Sequence, residues 1–267
     1  MTQPSPSSPP APLTLHHGGK AGAPVLVLGN SLGTDRRLWN ATVAALGADF
    51  HIVRFDPPGH GGQAALAMTS LGDLAAALLA ALDAAGIDTF RYAGVSMGAA
   101  IGIELALAAP HRLAALVLSN TAAQFAPDAA ARQFWQGRID QARATGTAAL
   151  AEATVVRWLT PAHAAANPAL HLWLIDMFAS TTASGYVACA GAVMQFDRTA
   201  ALADIRVPTL VIAGTDDLAT PPARGQALHR AIAGSRYLEL PAAHLAPLGA
   251  PDAFHGAVRA FFSHSTT

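Results

Sequence analysis

Cysteine is almost absent from this chain. Cys189 is the single one among 267 residues, so no intrachain disulfide can form; that fits a reducing compartment and leaves the thiol as a small apolar group. Charge is scarce as well, at 12% of residues, and the formal net charge is -1. Nothing electrostatic therefore calls for nucleic acid or an anionic membrane surface as a partner. No Cys/His cluster has zinc-site spacing, and no Gly-rich turn reads as a dinucleotide or phosphate loop, so neither metal nor cofactor is expected. Residues 1–12 are rich in Pro and Ser and carry no charged side chain. They lack the basic start and apolar stretch of a secretion signal and read as a disordered tail. The uncharged stretch 177–196 is interrupted by Ser180-Thr181-Thr182-Ala183-Ser184-Gly185, too polar to span a bilayer. The expectation is a soluble, cytoplasmic protein.

What the chain has is a large apolar fraction, 52%, enough for one α/β domain carrying an insertion. The stretch Arg91-Tyr92-Ala93-Gly94-Val95-Ser96-Met97-Gly98 contains Gly-x-Ser-x-Gly after a strand-like run and before a helix-compatible one. A serine on so tight a strand-to-helix turn has a strained backbone, and only very small residues fit beside it. The turn sets its hydroxyl near a helix N-terminus, where free N–H groups and the dipole favour developing negative charge. The bare pattern can arise by chance in a Gly- and Ala-rich chain. The flanking elements and the partners downstream make Ser96 a candidate nucleophile.

Apolar runs at 13–16, 25–28, 51–55, 113–118, 208–213 and 236–240 read as strands, and 71–85, 97–109 and 251–262 as helices. Their alternation predicts a mainly parallel sheet with helices on both faces. It fails over 121–202, where the pattern is helical and broken at Gly137, Gly146, Pro161, Pro168 and Gly185. Trp135, Trp158 and Trp173, three of the four tryptophans, fall there. The prediction is an all-helical cap at 121–202 over a core of 13–120 and 203–267. Its aromatics are expected mostly to glue cap to sheet. Its arginines, Arg132, Arg138, Arg143, Arg157 and Arg198, are expected on a solvated face.

Loops at strand ends carry the remaining chemistry. In hydrolases built this way, the loop Gly29-Asn30-Ser31-Leu32-Gly33 would donate a backbone N–H to an oxyanion, by position that of Leu32, beside the N–H of Met97. His60, in the Pro- and Gly-rich loop 56–62, is expected to hydrogen-bond backbone there. The loop 214–222 offers two adjacent carboxylates, Asp216 and Asp217, either of which could be an acid placed after a strand end. Among eleven histidines, His244 alone sits on the loop after the last strand, where a general base would fall. Serine, acid, histidine is the chain order of the α/β-hydrolases. In that arrangement the histidine takes the serine proton and the acid holds the ring.

These residues resemble the 3-oxoadipate enol-lactonase family of the α/β-hydrolase fold. The resemblance runs through Asn30-Ser31-Leu32-Gly33-Thr34-Asp35, the elbow at 94–98, Leu118-Ser119-Asn120-Thr121-Ala122 and Trp135-Gln136-Gly137-Arg138-Ile139. It continues through Arg157-Trp158-Leu159-Thr160, Gly185-Tyr186-Val187-Ala188-Cys189, the stretch 213–222 and Ala243-His244-Leu245. It implies an acid at Asp217, a base at His244 and an acyl-enzyme on Ser96. The implied substrate is a five-membered enol lactone with an acetate arm, opened to 3-oxoadipate in aromatic catabolism without a cofactor. One departure bears on that arm. The family reads Asp-Thr-Arg-Gly-His-Gly where this chain has Asp56-Pro57-Pro58-Gly59-His60-Gly61, so a cation is missing. Arg138, beside Trp135, is the expected replacement. A carboxylesterase, another lactonase, a C–C bond hydrolase and a small-molecule receptor that retains an idle triad are the alternatives.

Overall fold

Strands buried on both faces set the plan of the molecule, which a computed structural model describes over residues 13–66 and 68–264. The tail expected at residues 1–12 lies outside the described residues. β1 (Leu15–Gly19), β2 (Val25–Gly29), β3 (His51–Phe55), β4 (Phe90–Val95), β5 (Leu113–Ser119), β6 (Thr209–Gly214) and β7 (Arg236–Leu240) form one sheet in the order β1-β3-β2-β4-β5-β6-β7. β1 runs antiparallel to β3, and every other pair is parallel. β4 and β6 are buried at every position, as strands covered by helices on both sides must be. The partly exposed β1 and β7 take the edges.

The helices that cover the sheet begin with α1 (Asn40–Leu46), α2 (Leu71–Ala84) and α3 (Met97–Ala108). Ser70 and Asp73 close a capping box on α2, satisfying N–H groups that would otherwise be orphaned. α3 is buried from Met97 through Ala106, against β2, β4 and β5. That depth explains why it has no polar face.

Between β5 and β6 the chain inserts α4 (Ala129–Thr145), α5 (Ala148–Val155), α6 (Pro161–Ala166), α7 (Pro168–Ala179) and α8 (Ala183–Gln195). α4 packs on α8, and α5 on α7. Gly146, Pro161 and Pro168 fall at helix ends as expected, but two glycines do not break helices. Gly137 lies within α4, where a Cβ would meet nothing; one glycine costs about 1 kcal/mol, which a helix of 17 residues capped by Asp128 tolerates. Gly185 lies within α8 for a reason of contact. A Cβ there would stand 2.5 Å from the Gly59 Cα, in the loop after β3. Thr182 N–H donates to the Gly59 carbonyl at 2.9 Å, fixing α8 on that loop. A single bridge between Gln124 and Asp197 ties the two ends of the insert together. Arg198 pairs with the buried Glu104 of α3 at 2.9 Å.

α9 (Pro222–Ala231), α10 (Ala246–Gly249) and α11 (Pro251–His264) complete the covering layers. Among the described residues, no helix is long and apolar enough to cross a membrane.

Candidate active site

Ser96 sits between β4 and α3 with φ 57° and ψ -116°, a left-handed conformation that a residue with a Cβ adopts only when its surroundings impose it. The imposition is visible. A Cβ on Gly94 would lie 2.4 Å from the Gly98 carbonyl carbon, and one on Gly98 would lie 2.2 Å from the Gly29 carbonyl group. Only glycines let β4, α3 and the end of β2 approach so closely. The Ser96 N–H donates to the Ser119 carbonyl at 2.9 Å, and the Thr121 hydroxyl donates to the Ser96 carbonyl at 2.9 Å. Both backbone groups of the serine are therefore held from β5 and the residues just after it.

Asp217 and His244 arrive from the ends of β6 and β7. The carboxylate Oδ2 accepts from His244 Nδ1 at 2.9 Å, Thr220 Oγ1 at 2.7 Å and Asn120 Nδ2 at 3.0 Å. Oδ1 accepts from the N–H groups of Ala219 and Thr220 at 2.8 and 2.9 Å. Burial opposes ionisation of Asp217, but the His244 charge and these donors outweigh it and hold the carboxyl well below its ordinary range. A carboxylate accepting at Nδ1 leaves the hydrogen on that nitrogen and Nε2 free to take a proton. His244 and Ser96 both line one cavity. Among the described residues no hydrogen bond joins the Ser96 hydroxyl to the imidazole, a contact that often tightens only when substrate is bound.

Asn120 is a positioning residue that the sequence reading did not single out. It directly follows β5 at φ 51°, a conformation Asn tolerates, and its amide also donates to the Ala243 carbonyl at 3.1 Å. One side chain thus holds Asp217 and the loop of His244 together. The signal was the polar run Ser119-Asn120-Thr121 closing an otherwise apolar strand.

Leu32 and Met97 line the same cavity. Met97 is the first residue of α3, so its N–H has no intrahelical partner. Asn30 fixes the Leu32 loop, donating to the Phe55 carbonyl at 2.9 Å and accepting from Trp39 Nε1 at 2.8 Å. His60 does the same from the loop after β3. It lies within hydrogen-bond distance of the Pro58 carbonyl in its own loop, at 2.9 Å, and its Nε2 accepts the Gly33 N–H at 3.0 Å. Burial lowers the His60 pKa to about 4, so the ring is neutral, as an acceptor at Nε2 must be.

The cavity, of about 320 Å³, lies between these loops and the helical insert, at the lower end of the range for small-molecule sites. Trp135 and Arg138 both line it. The expectation that the arginines of the insert face solvent fails at Arg138 and Arg157, which line the cavity with Arg224. Arg138 is turned inward by hydrogen bonds to Tyr186 Oη at 2.9 Å and Thr154 Oγ1 at 2.6 Å. No Asp or Glu lines the cavity among the described residues. Nor do any three His, Cys, Asp or Glu side chains gather as a metal-binding set among them. Cys189 is buried against the Pro58 carbonyl, and burial pushes its thiol up to about 12.

Residues 12–251 match the family model for the alpha/beta hydrolase fold. A 3-oxoadipate enol-lactonase of Acinetobacter baylyi is 31% identical, over 91% of this chain and 90% of its own length. RutD of Klebsiella pneumoniae, a proposed carbamate hydrolase, is 36% identical over 82% of this chain and 84% of its own. The crystal structure of the enol-lactonase from Burkholderia xenovorans superposes with a TM-score of 0.90 at 36% identity, covering 94% of this chain and 96% of that one.

Proposed function

The chain belongs to the alpha/beta hydrolase fold family and is a hydrolase of carboxylic ester bonds; from that premise we propose that it opens a small carboxylated enol lactone by serine catalysis. Ser96 Oγ attacks the lactone carbonyl while His244 Nε2 takes its proton. The tetrahedral oxyanion is met by the N–H groups of Leu32 and Met97, each such donor contributing about 3 kcal/mol in the transition state. The ring C–O bond breaks, His244 returns the proton to the departing enol oxygen, and the enol becomes a ketone. Water, deprotonated by His244, then cleaves the Ser96 ester and frees the acid, 3-oxoadipate in the enol-lactonase reading. Asp217 holds the imidazole throughout, and the insert at 121–202 is the cap that roofs the reaction.

One observation carries the choice of substrate class. Among the described residues, the cavity beside Ser96 is lined by three arginines and no carboxylate, although the chain as a whole has slightly more acidic than basic residues. An anionic substrate meets complementary charge there, while a neutral ester would leave the cations unanswered. Trp135 and Arg138 form the wall on which the lactone packs.

The test is a panel of 3-oxoadipate enol-lactone, its methyl ester, a neutral γ-lactone, p-nitrophenyl acetate and a carbamate. The free carboxylate should raise kcat/KM by about tenfold or more over the methyl ester, the worth of one charge-assisted hydrogen bond. Preference for the neutral compounds would leave a general esterase. Preference for the carbamate would place the chain with its other relatives.

A further inference from the structure

Among the described residues, Arg157 is the one guanidinium lining the cavity that no protein acceptor answers. Arg138 spends Nε and Nη2 on Tyr186 and Thr154. Arg224 donates Nη1 to the Gln124 carbonyl at 3.2 Å. Arg157 makes neither hydrogen bond nor ion pair; its Nε is closed off without an acceptor, while its terminal nitrogens are not closed off. Shape holds it in place. Its Cζ lies 5.7 Å from the centre of the Phe134 ring, and it directly precedes Trp158, whose ring packs 5.8 Å from that of Phe178. The Trp158 carbonyl accepts the Leu245 N–H at 3.0 Å. That bond ties the backbone next to Arg157 to the backbone next to His244, and both side chains line the cavity.

This arrangement is costly without a ligand. A guanidinium keeps its charge in proteins, and this one is partly desolvated beside a second cation. Burial first, then Arg138, lowers its pKa, against the pull of Asp217. Asp217 is already answered by His244, Thr220 and Asn120. An incoming carboxylate would supply the missing acceptor and the missing charge together.

We propose that Arg157 is the carboxylate receptor of this cavity, a specificity-determining residue whose terminal nitrogens pair with the carboxylate of the substrate while its ester carbonyl lies at Ser96. The assignment rests on the reading of a carboxylated substrate, and gives Arg138 the role of shaping the wall.

The test uses the full chain and two readouts: calorimetric titration with adipate, and the ratio of kcat/KM on the enol lactone to that on its methyl ester. Arg157→Met should raise the Kd for adipate and lower the ratio by about tenfold or more each, as loss of a charge-assisted pair would. Arg157→Lys should recover part of both, and Arg138→Met should raise the Kd by less than Arg157→Met does, since its bonds are made within the wall. Thermal unfolding in the wild-type range shows that each variant folds, and Arg157→Gln replaces the Met variant if that one does not. An unchanged Kd in Arg157→Met, a larger rise in Arg138→Met, or no adipate binding by wild type would overturn the assignment. If wild type shows no preference for the free carboxylate but adipate binding still depends on Arg157, the receptor stands and the enol-lactone reading falls.

Discussion

Asp216 and Asp217 are adjacent in the chain and opposite in surroundings. Asp216 is exposed and accepts a hydrogen bond from its neighbour Thr215 at 2.8 Å, which is ordinary turn chemistry. Asp217 is buried, with five donors on its two oxygens. On the proposed mechanism, Asp217→Asn puts an amide where His244 Nδ1–H must find an acceptor and favours the wrong tautomer, so kcat should fall by about 10⁴. Asp216→Asn should stay within about twofold, as exposed substitutions away from special features usually do. Steady-state kinetics of the two variants check this, and the reverse pattern would move the acid one residue back. Resolving this pair was beyond pattern alone, because both residues fit a loop after a strand. Burial separates them, and burial depends on Asn120 and His244 arriving from elsewhere. Arg157 was illegible for the same reason: an arginine in a helical segment reads as surface until the facing wall is known.

At the level of elements, the sheet was the most legible part. Continuous apolar runs mark doubly covered strands, and all six placed themselves within a residue or two of their observed ends, apart from the first, which runs on to Gly19. The helical insert was legible as helical but not in its breaks, since Gly185 is small for the sake of Gly59 rather than to end α8. That contact bears on the loop 56–62, where His60 braces the Gly33 amide. His60 is neutral in the fold with a pKa near 4, against 6.5 ordinarily. Between these values the unfolded chain binds a proton that the folded chain refuses. Its contribution is therefore whole above pH 6.5 and lost as pH falls toward 4, by about 3 kcal/mol in all. Asp56, raised chiefly by burial, acts with the opposite sign just above its ordinary value, and Asp217 contributes only below its own. Denaturant unfolding from pH 4.5 to 7 should give a stability curve about 2–3 kcal/mol flatter in His60→Gln than in wild type. Parallel curves would mean that the ring is not held neutral by the fold.

Across the whole molecule, charge is distributed unlike the average. The chain is nearly neutral, yet among the described residues one cavity gathers three arginines and no carboxylate. Apolar side chains stand at its rim, Phe134 46% and Leu218 76% exposed. A substrate with a carboxylate would meet little attraction at long range and a strong, local one at the cavity. Salt should then act on substrate capture rather than on the chemical step. The Debye length shrinks from about 30 Å at 0.01 M to about 4–5 Å at 0.5 M, so attraction at the mouth is screened, while a pair formed inside is screened much less. kcat/KM on the carboxylated lactone should fall by roughly two- to fivefold across that range, with kcat nearly constant. The methyl ester of the same lactone, which has no charge to screen, sets the baseline and should change little. Arg157→Met should remove most of the difference between the two, because the cation that captures the carboxylate is gone. Equal salt dependence for the charged and the neutral lactone would show that the arginines shape the cavity without drawing an anion into it.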